Sequence, residues 1–251
     1  MITKEYVDKQ FEQLNDPNFD IDRLDKSGRS LLFLACKICD FEKILLLIKL
    51  SCNINIVDNV GYNCLLTVCG LTEKYENKFQ IVKYFIEQLG LLPNCYTNKN
   101  ESCLYLACKT GNVELAQYLL HNYPDLLDVK PDCESSCIEI SIVNNHLEIF
   151  LLLLKYGADV NDMNDASGMS CLMTASFERQ YEMAKKLIES GAEINLINFK
   201  NRNALYYAVY HMNNNDDTIL FLLENGAFVC DRTRKMLLRS TNKEILKYID
   251  C

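Results

Sequence analysis

Apolar residues along this chain of 251 residues fall in short runs with helical periodicity, set in pairs and divided by polar loops. In the first pair, the run over residues 30–38 predicts a short inner helix with Ser30 placed to cap its N-terminus. The run over residues 41–49 predicts an outer helix in which Phe41, Ile44, Leu45 and Ile48 share one face. Outer-helix patterns return over residues 147–155, 183–190 and 219–225. Ahead of the inner helices recurs Asp-x-x-Gly-x-(Ser/Asn)-x-Leu-x-x-Ala, most fully as Asp25-Lys26-Ser27-Gly28-Arg29-Ser30-Leu31-Leu32-Phe33-Leu34-Ala35. With its Leu as marker, the copies fall at Leu32, Leu65, Leu104, Ile138, Leu172 and Leu205, at gaps of 33, 39, 34, 34 and 33 residues. A fixed period in that range predicts stacked units, each burying its apolar face against its neighbours.

The loops keep the same register. Gly28, Gly61 and Gly168 stand where the connection requires positive φ, and Asn100 and Asn201 replace glycine in two units; asparagine tolerates that conformation best among the other residues. The outer helices are followed by Gly157-Ala158-Asp159-Val160-Asn161, Gly191-Ala192-Glu193-Ile194-Asn195 and Gly226-Ala227-Phe228-Val229. These residues together resemble the ankyrin repeat, over nearly the whole chain. The family's Thr-Pro-Leu-His tetrapeptide departs here to Ser30-Leu31-Leu32-Phe33, Ser102-Cys103-Leu104-Tyr105 and Asn203-Ala204-Leu205-Tyr206, a loss of loop-bracing groups that predicts looser loops.

The resemblance implies an all-α ankyrin-repeat solenoid of about six full helix-turn-helix repeats between two capping pieces. A single domain over residues 1–251 is expected, with an N-terminal cap at 1–24, repeats at 25–57, 58–96, 97–127, 128–163, 164–197 and 198–231, and a C-terminal cap at 232–251. Residues 4–14 read as the outer helix of the truncated first unit, and 233–240 with 243–250 as a closing pair. The polar stretch 73–78 accounts for the longest gap and is expected to project between its helices; residues 128–135 lack the loop glycine and predict an altered loop.

Composition narrows the function classes. No apolar run reaches the length that spans a bilayer, and the first residues have no apolar stretch of signal-peptide type, so a soluble protein of the cytoplasm, or of a host cell's cytosol for an effector or viral protein, is expected. The net charge is -8, and the longest basic cluster, Arg232-Thr233-Arg234-Lys235, is too small for a phosphate-neutralising stripe. Neither a nucleic-acid nor a membrane partner is expected. The 13 cysteines are an odd number, and seven fall in repeat register: Cys64, Cys103, Cys137 and Cys171 precede the marker, and Cys36, Cys69 and Cys108 follow it by four residues. A free thiol serves there as a small hydrophobe.

Candidate chemistry is sparse. Cys36-Lys37-Ile38-Cys39 offers only two metal ligands and lies at the packing position. The three histidines fall in different units, and no Gly-x-Ser-x-Gly, His-Glu-x-x-His or phosphate-cradling loop is present. No catalytic residue, metal or cofactor is therefore expected; an enzyme or toxin-like effector with an unrecognised site is the alternative reading.

What the family resemblance implies instead is a monomeric protein-binding scaffold or adaptor that holds a protein partner in a concave groove. Carried over position by position, the contact residues are Arg29, Val60 and Tyr62 in the first two units, then Met169, Phe177, Phe199, Arg202 and Tyr210 in the fifth and sixth. The sequence places Met169, Phe177, Phe199 and Tyr210 on one exposed face, and aromatic, Met and Arg side chains are enriched at binding hot spots. Asn161 and Asn195 sit in sequences similar to those that asparaginyl hydroxylases accept in ankyrin proteins, so both are candidate hydroxylation sites; such an Asn also braces its loop through its own hydrogen bonds.

Overall fold

The computed structural model describes residues 2–72, 77–132, 135–164, 166–210 and 215–248. They form α-helices joined by tight loops, with no extended strand among the described residues. The chain divides into two compact units, residues 1–133 and 134–251.

In the first unit, α1 (Lys4–Phe11) runs into a 3-10 turn, Glu12–Asn15. Then follow α2 (Leu31–Lys37), α3 (Phe41–Lys49), α4 (Cys64–Cys69), α5 (Lys78–Lys83, continued by a π-turn at Tyr84–Gln88), α6 (Cys103–Thr110) and α7 (Val113–Asn122). Helices pair as hairpins, α2 with α3, α4 with α5 and α6 with α7, while the inner helices α2, α4 and α6 stack in turn and α1 packs on α2. The second unit holds α8 (Cys137–Val143), α9 (Leu147–Lys155), α10 (Cys171–Phe177), α11 (Tyr181–Glu189), α12 (Ala204–Tyr210), α13 (Asp216–Glu224), α14 (Asp231–Leu237) and α15 (Lys243–Lys247). Its hairpins are α8 with α9, α10 with α11 and α12 with α13; α8, α10, α12 and α14 stack in turn.

The two helix types are built differently. An inner helix is covered on nearly every side: in α2 the six residues from Leu31 to Cys36 are all buried. Such a helix is too short to hold itself by backbone hydrogen bonds alone, so burial and capping stabilise it. Ser30, Asn63, Ser102, Ser136, Ser170 and Asn203 each accept a hydrogen bond from the backbone N–H three residues on, at 2.8 to 3.4 Å, a contact worth about 1 kcal/mol per cap. The outer helices bury one face only, as α11 does with Met183, Ala184 and Leu187.

The expected helices at 30–38 and 41–49 match α2 and α3; the closing pair expected at 233–240 and 243–250 is found as α14 and α15, with residues 249–250 outside the described residues. Gly28, Gly61, Gly168, Asn100 and Asn201 all have positive φ. The seven register cysteines are buried, and no disulfide joins any of the described cysteines. Two expectations need correction. Of the stretch 73–78, residues 73–76 lie outside the described residues, but Lys78 does not project: it is 2% exposed and opens α5, donating to the Leu71 carbonyl and, at 3.5 Å, to the Thr110 hydroxyl. Nor are the loops left unbraced by the missing Thr and His. Asp25 Oδ1 accepts from the amides of Ser27 and Arg29, Asp58 Oδ1 from those of Val60 and Tyr62, and Asn198 Oδ1 from those of Lys200 and Arg202. The residue that opens each of these three loops therefore carries the brace. At the altered loop, Pro124–Asp128 forms a 3-10 turn, and the carbonyl of Lys130 accepts from Asn100 Nδ2 at 2.8 Å.

Candidate partner-binding surface

Each sequence-predicted contact residue sits where its loop and inner helix put it, but the two units treat them differently. In the first unit Arg29 is taken up internally, its guanidinium 3.1 Å from Asp25 and donating to Ser27 Oγ at 2.8 Å. Tyr62 donates its hydroxyl to Glu101 at 3.1 Å. Glu101 is itself buried and also accepts from Thr97 and Lys109. Beside that carboxylate the Tyr62 phenol is pushed far above its ordinary pKa, chiefly by burial and then by the negative charge of Glu101. Val60 alone of the three presents an open apolar side chain, 49% exposed.

In the second unit Phe199, at a loop tip, is 72% exposed, and Tyr210, the last residue of α12, is 56% exposed. Met169 and Phe177 do not join them as open side chains. Both are half-buried, and the Phe177 ring turns edge-on to Tyr207 at 6.0 Å between centroids. The expectation of four large side chains on one exposed face therefore reduces to two, because the neighbouring inner helix offers Phe177 an aromatic surface to pack on.

Tyr206 joins these residues. Its ring is edge-on to Tyr207 and stacked on Tyr210, at 5.5 and 6.3 Å between centroids. The guanidinium of Arg202 lies 4.6 Å from its centroid and that of Arg232 lies 5.2 Å away. Planar guanidiniums stack well on aromatic faces. Among the described residues neither arginine has a carboxylate within ion-pair range, and Arg202 Nε is buried with no hydrogen-bond acceptor. The result is a tyrosine ladder along α12 carrying two uncompensated positive charges, with Phe199 and Tyr210 exposed in the same repeat. Arg232 and Tyr206 were not singled out by the sequence: Arg232 falls in the short basic cluster, and Tyr206 occupies a marker-adjacent core position. Tyr206 could have been found from its place four residues before Tyr210, one helical turn along α12; no spacing in the sequence points to Arg232.

Asn161 and Asn195 bridge successive turns. Asn161 Oδ1 accepts from the Glu193 amide at 2.8 Å. Asn195 Oδ1 accepts from the Phe228 amide at 2.7 Å while its Nδ2 donates to the Gly226 carbonyl at 3.1 Å. Among the described residues no group of three or more His, Cys, Asp or Glu side chains could hold a metal ion, and no helix is long and apolar enough to cross a membrane.

The sequence matches the family described as Ankyrin repeats (3 copies) over residues 32–130, 71–164 and 138–233. The chain belongs to the ankyrin-repeat family. Its fold is similar to the crystal structure of the ankyrin repeat domain of Bcl-3, described as a unique member of the IkappaB protein family, with a TM-score of 0.70 at 18% identity over 90% of this chain and 100% of that one. Comparison with curated proteins finds no match.

Proposed function

We propose that this chain is a non-catalytic scaffold or adaptor of the cytoplasm, acting as a monomer, that binds a protein partner through the loop tips and inner-helix ends of its second unit. Ankyrin repeats are generic protein-binding modules, and a binding function rests on that family membership. The observation that carries the more specific reading is the pairing of two widely exposed aromatics, Phe199 and Tyr210, with two arginines that have no carboxylate partner among the described residues. Exposed aromatic area costs nothing to desolvate and much to leave in water, and Arg beside it adds directional donors; that combination marks binding surfaces. It favours a partner segment with apolar and acidic side chains, against the grain of the chain's net charge of -8.

The test is affinity capture by the wild type against the Phe199→Ala/Tyr210→Ala double variant and the Arg202→Glu/Arg232→Glu double variant. A partner held through this surface is lost by both, while the first variant keeps a thermal midpoint close to wild type because neither side chain is core. A partner retained by both variants places the contact elsewhere and rejects the reading.

A further inference from the structure

The loop between α5 and α6 holds a feature outside the proposed binding surface. Tyr96 and Ser102 form an antiparallel bridge, secured by the Thr97 amide donating to the Glu101 carbonyl at 3.1 Å. Cys95 and Cys103 are the next residues outward on the two facing segments. Cys103 is also the first residue of α6, so the bridge and the helix start together fix its position beside Cys95. The two Sγ atoms already stand 4.0 Å apart and share a hydrogen bond. The equivalent position holds Arg23, Ile56 and Leu196 in three other units, so the repeat does not call for a thiol there. Cys103 is fully buried and Cys95 is only partly covered.

We infer that Cys95 and Cys103 form an oxidant-sensitive thiol pair, which hydrogen peroxide or a peroxide of similar size converts to an intramolecular disulfide. Cys95 is the attacking group. The hydrogen bond from Cys103, then one from the Asn63 side chain, outweigh burial and hold its pKa down to about 7, whereas Cys103 is pushed well up by its contact with the Cys69 thiol, then by Cys95 and by burial. A sizeable fraction of Cys95 is therefore thiolate at neutral pH, the nucleophilic form. In the first step the Cys95 sulfur bonds to one peroxide oxygen, the O–O bond breaks and hydroxide leaves as water, giving a sulfenic acid. In the second step the Cys103 sulfur attacks Cys95 Sγ, the S–O bond breaks and the oxygen departs as water with the Cys103 proton. Two thiols and one peroxide give one disulfide and two waters. The cross-link would tie residues 95–103 into a closed loop, one that bears Asn98 and Asn100, whose side chains reach the Asn59 and Lys130 carbonyls of the flanking loops.

The experiment treats the full reduced chain with hydrogen peroxide, blocks remaining thiols with iodoacetamide, and digests with trypsin without reductant. Cleavage after Lys83, Lys99 and Lys109 separates peptide 84–99, with Cys95, from peptide 100–109, with Cys103 and Cys108. The expected product is the two peptides joined, two hydrogens lighter than their sum, absent without peroxide and separated again by dithiothreitol. It persists in Cys108→Ser and vanishes in Cys95→Ser and in Cys103→Ala; alanine is accommodated at the equivalent inner-helix position, Ala204. Cys95 joined to any other cysteine, persistence of the product in Cys103→Ala, or peroxide driving Cys95 only to sulfinic acid overturns the inference. Should Cys103→Ala not fold, fragmentation of the product formed in Cys108→Ser shows directly whether Cys95 is joined to Cys103.

Discussion

The ring of Phe199 lies across Gly168: a Cβ on that glycine would stand 2.9 Å from Phe199 Cδ1 and 3.0 Å from Cε1, and Gly168 has φ +67°. Two constraints meet there. The backbone is in the left-handed region, which costs an L-residue about 1–2 kcal/mol, and the space is filled by the side chain of the next loop tip. Gly168→Ala is therefore expected to lower the thermal midpoint by roughly 2–6 °C and to weaken partner capture beyond what the stability loss explains, since Phe199 must shift. A variant with wild-type capture separates Phe199 from the contact.

Glycines of the array differ in a way that a melt can rank. At Gly61, φ +89°, a Cβ would fall 2.5 Å from the backbone nitrogen of Asn98, which itself donates to the Val60 carbonyl at 2.9 Å. At Gly191, φ +92°, nothing lies within 4 Å. Backbone strain is common to both and steric overlap belongs to one. Gly61→Ala is expected to cost about 2 kcal/mol or more and Gly191→Ala about 1, read as the separation of their urea midpoints. Equal midpoints contradict the packing at Gly61.

Asn161 and Asn195 look interchangeable in sequence, and their hydrogen bonds set them apart. Asn161 reaches the next turn only as an acceptor, from the Glu193 amide, a task Asp22 performs in the first unit by accepting from the Asn53 amide at 2.8 Å. Asn195 both accepts and donates. Asn161→Asp is expected to change stability by under about 0.5 kcal/mol, whereas Asn195→Asp loses the bond to Gly226 and sets a carboxylate against its carbonyl, at about 1 kcal/mol or more. Urea unfolding at roughly 0.15 M salt, where exposed charges are screened, checks the order.

Legibility followed periodicity. Helix positions, loop glycines and buried thiols all repeat, and repetition identified them from Leu32 to Leu205 without any tertiary information. Contacts that occur once did not repeat and stayed hidden. Phe177 reads as a groove residue from its place at the end of an inner helix, but only the aromatic neighbour at Tyr207 decides that its ring turns inward. Arg29 and Arg202 hold the same motif position, and the difference between a neutralised and an uncompensated guanidinium lies in the loop-opening residue, Asp25 in one case and Asn198 in the other. Lys78 looks solvated in a polar stretch, yet a free carbonyl at Leu71 and the hydroxyl of Thr110 make its burial possible.

Glu139 gives the sharpest dependence on pH. It is buried on α8 and accepts from Thr174 Oγ1 and Asn164 Nδ2, both at 3.2 Å. Burial raises its pKa above the ordinary carboxylate value; these bonds and one from Ser135 oppose the rise, and the nearby Asp162 carboxylate adds to it. Because the folded value lies above the unfolded one, the folded site favours the protonated acid. The resulting stability is fully present below the unfolded pKa, about 4.3, and is lost as pH rises through the folded value. Glu139→Gln is neutral at every pH, and its amide can accept from Asn164 while donating to Thr174. The variant is therefore expected to gain on the wild type as unfolding is followed from about pH 4 to about pH 7. A difference that stays flat, or that turns in favour of the wild type with rising pH, means that the folded protein prefers the Glu139 carboxylate charged.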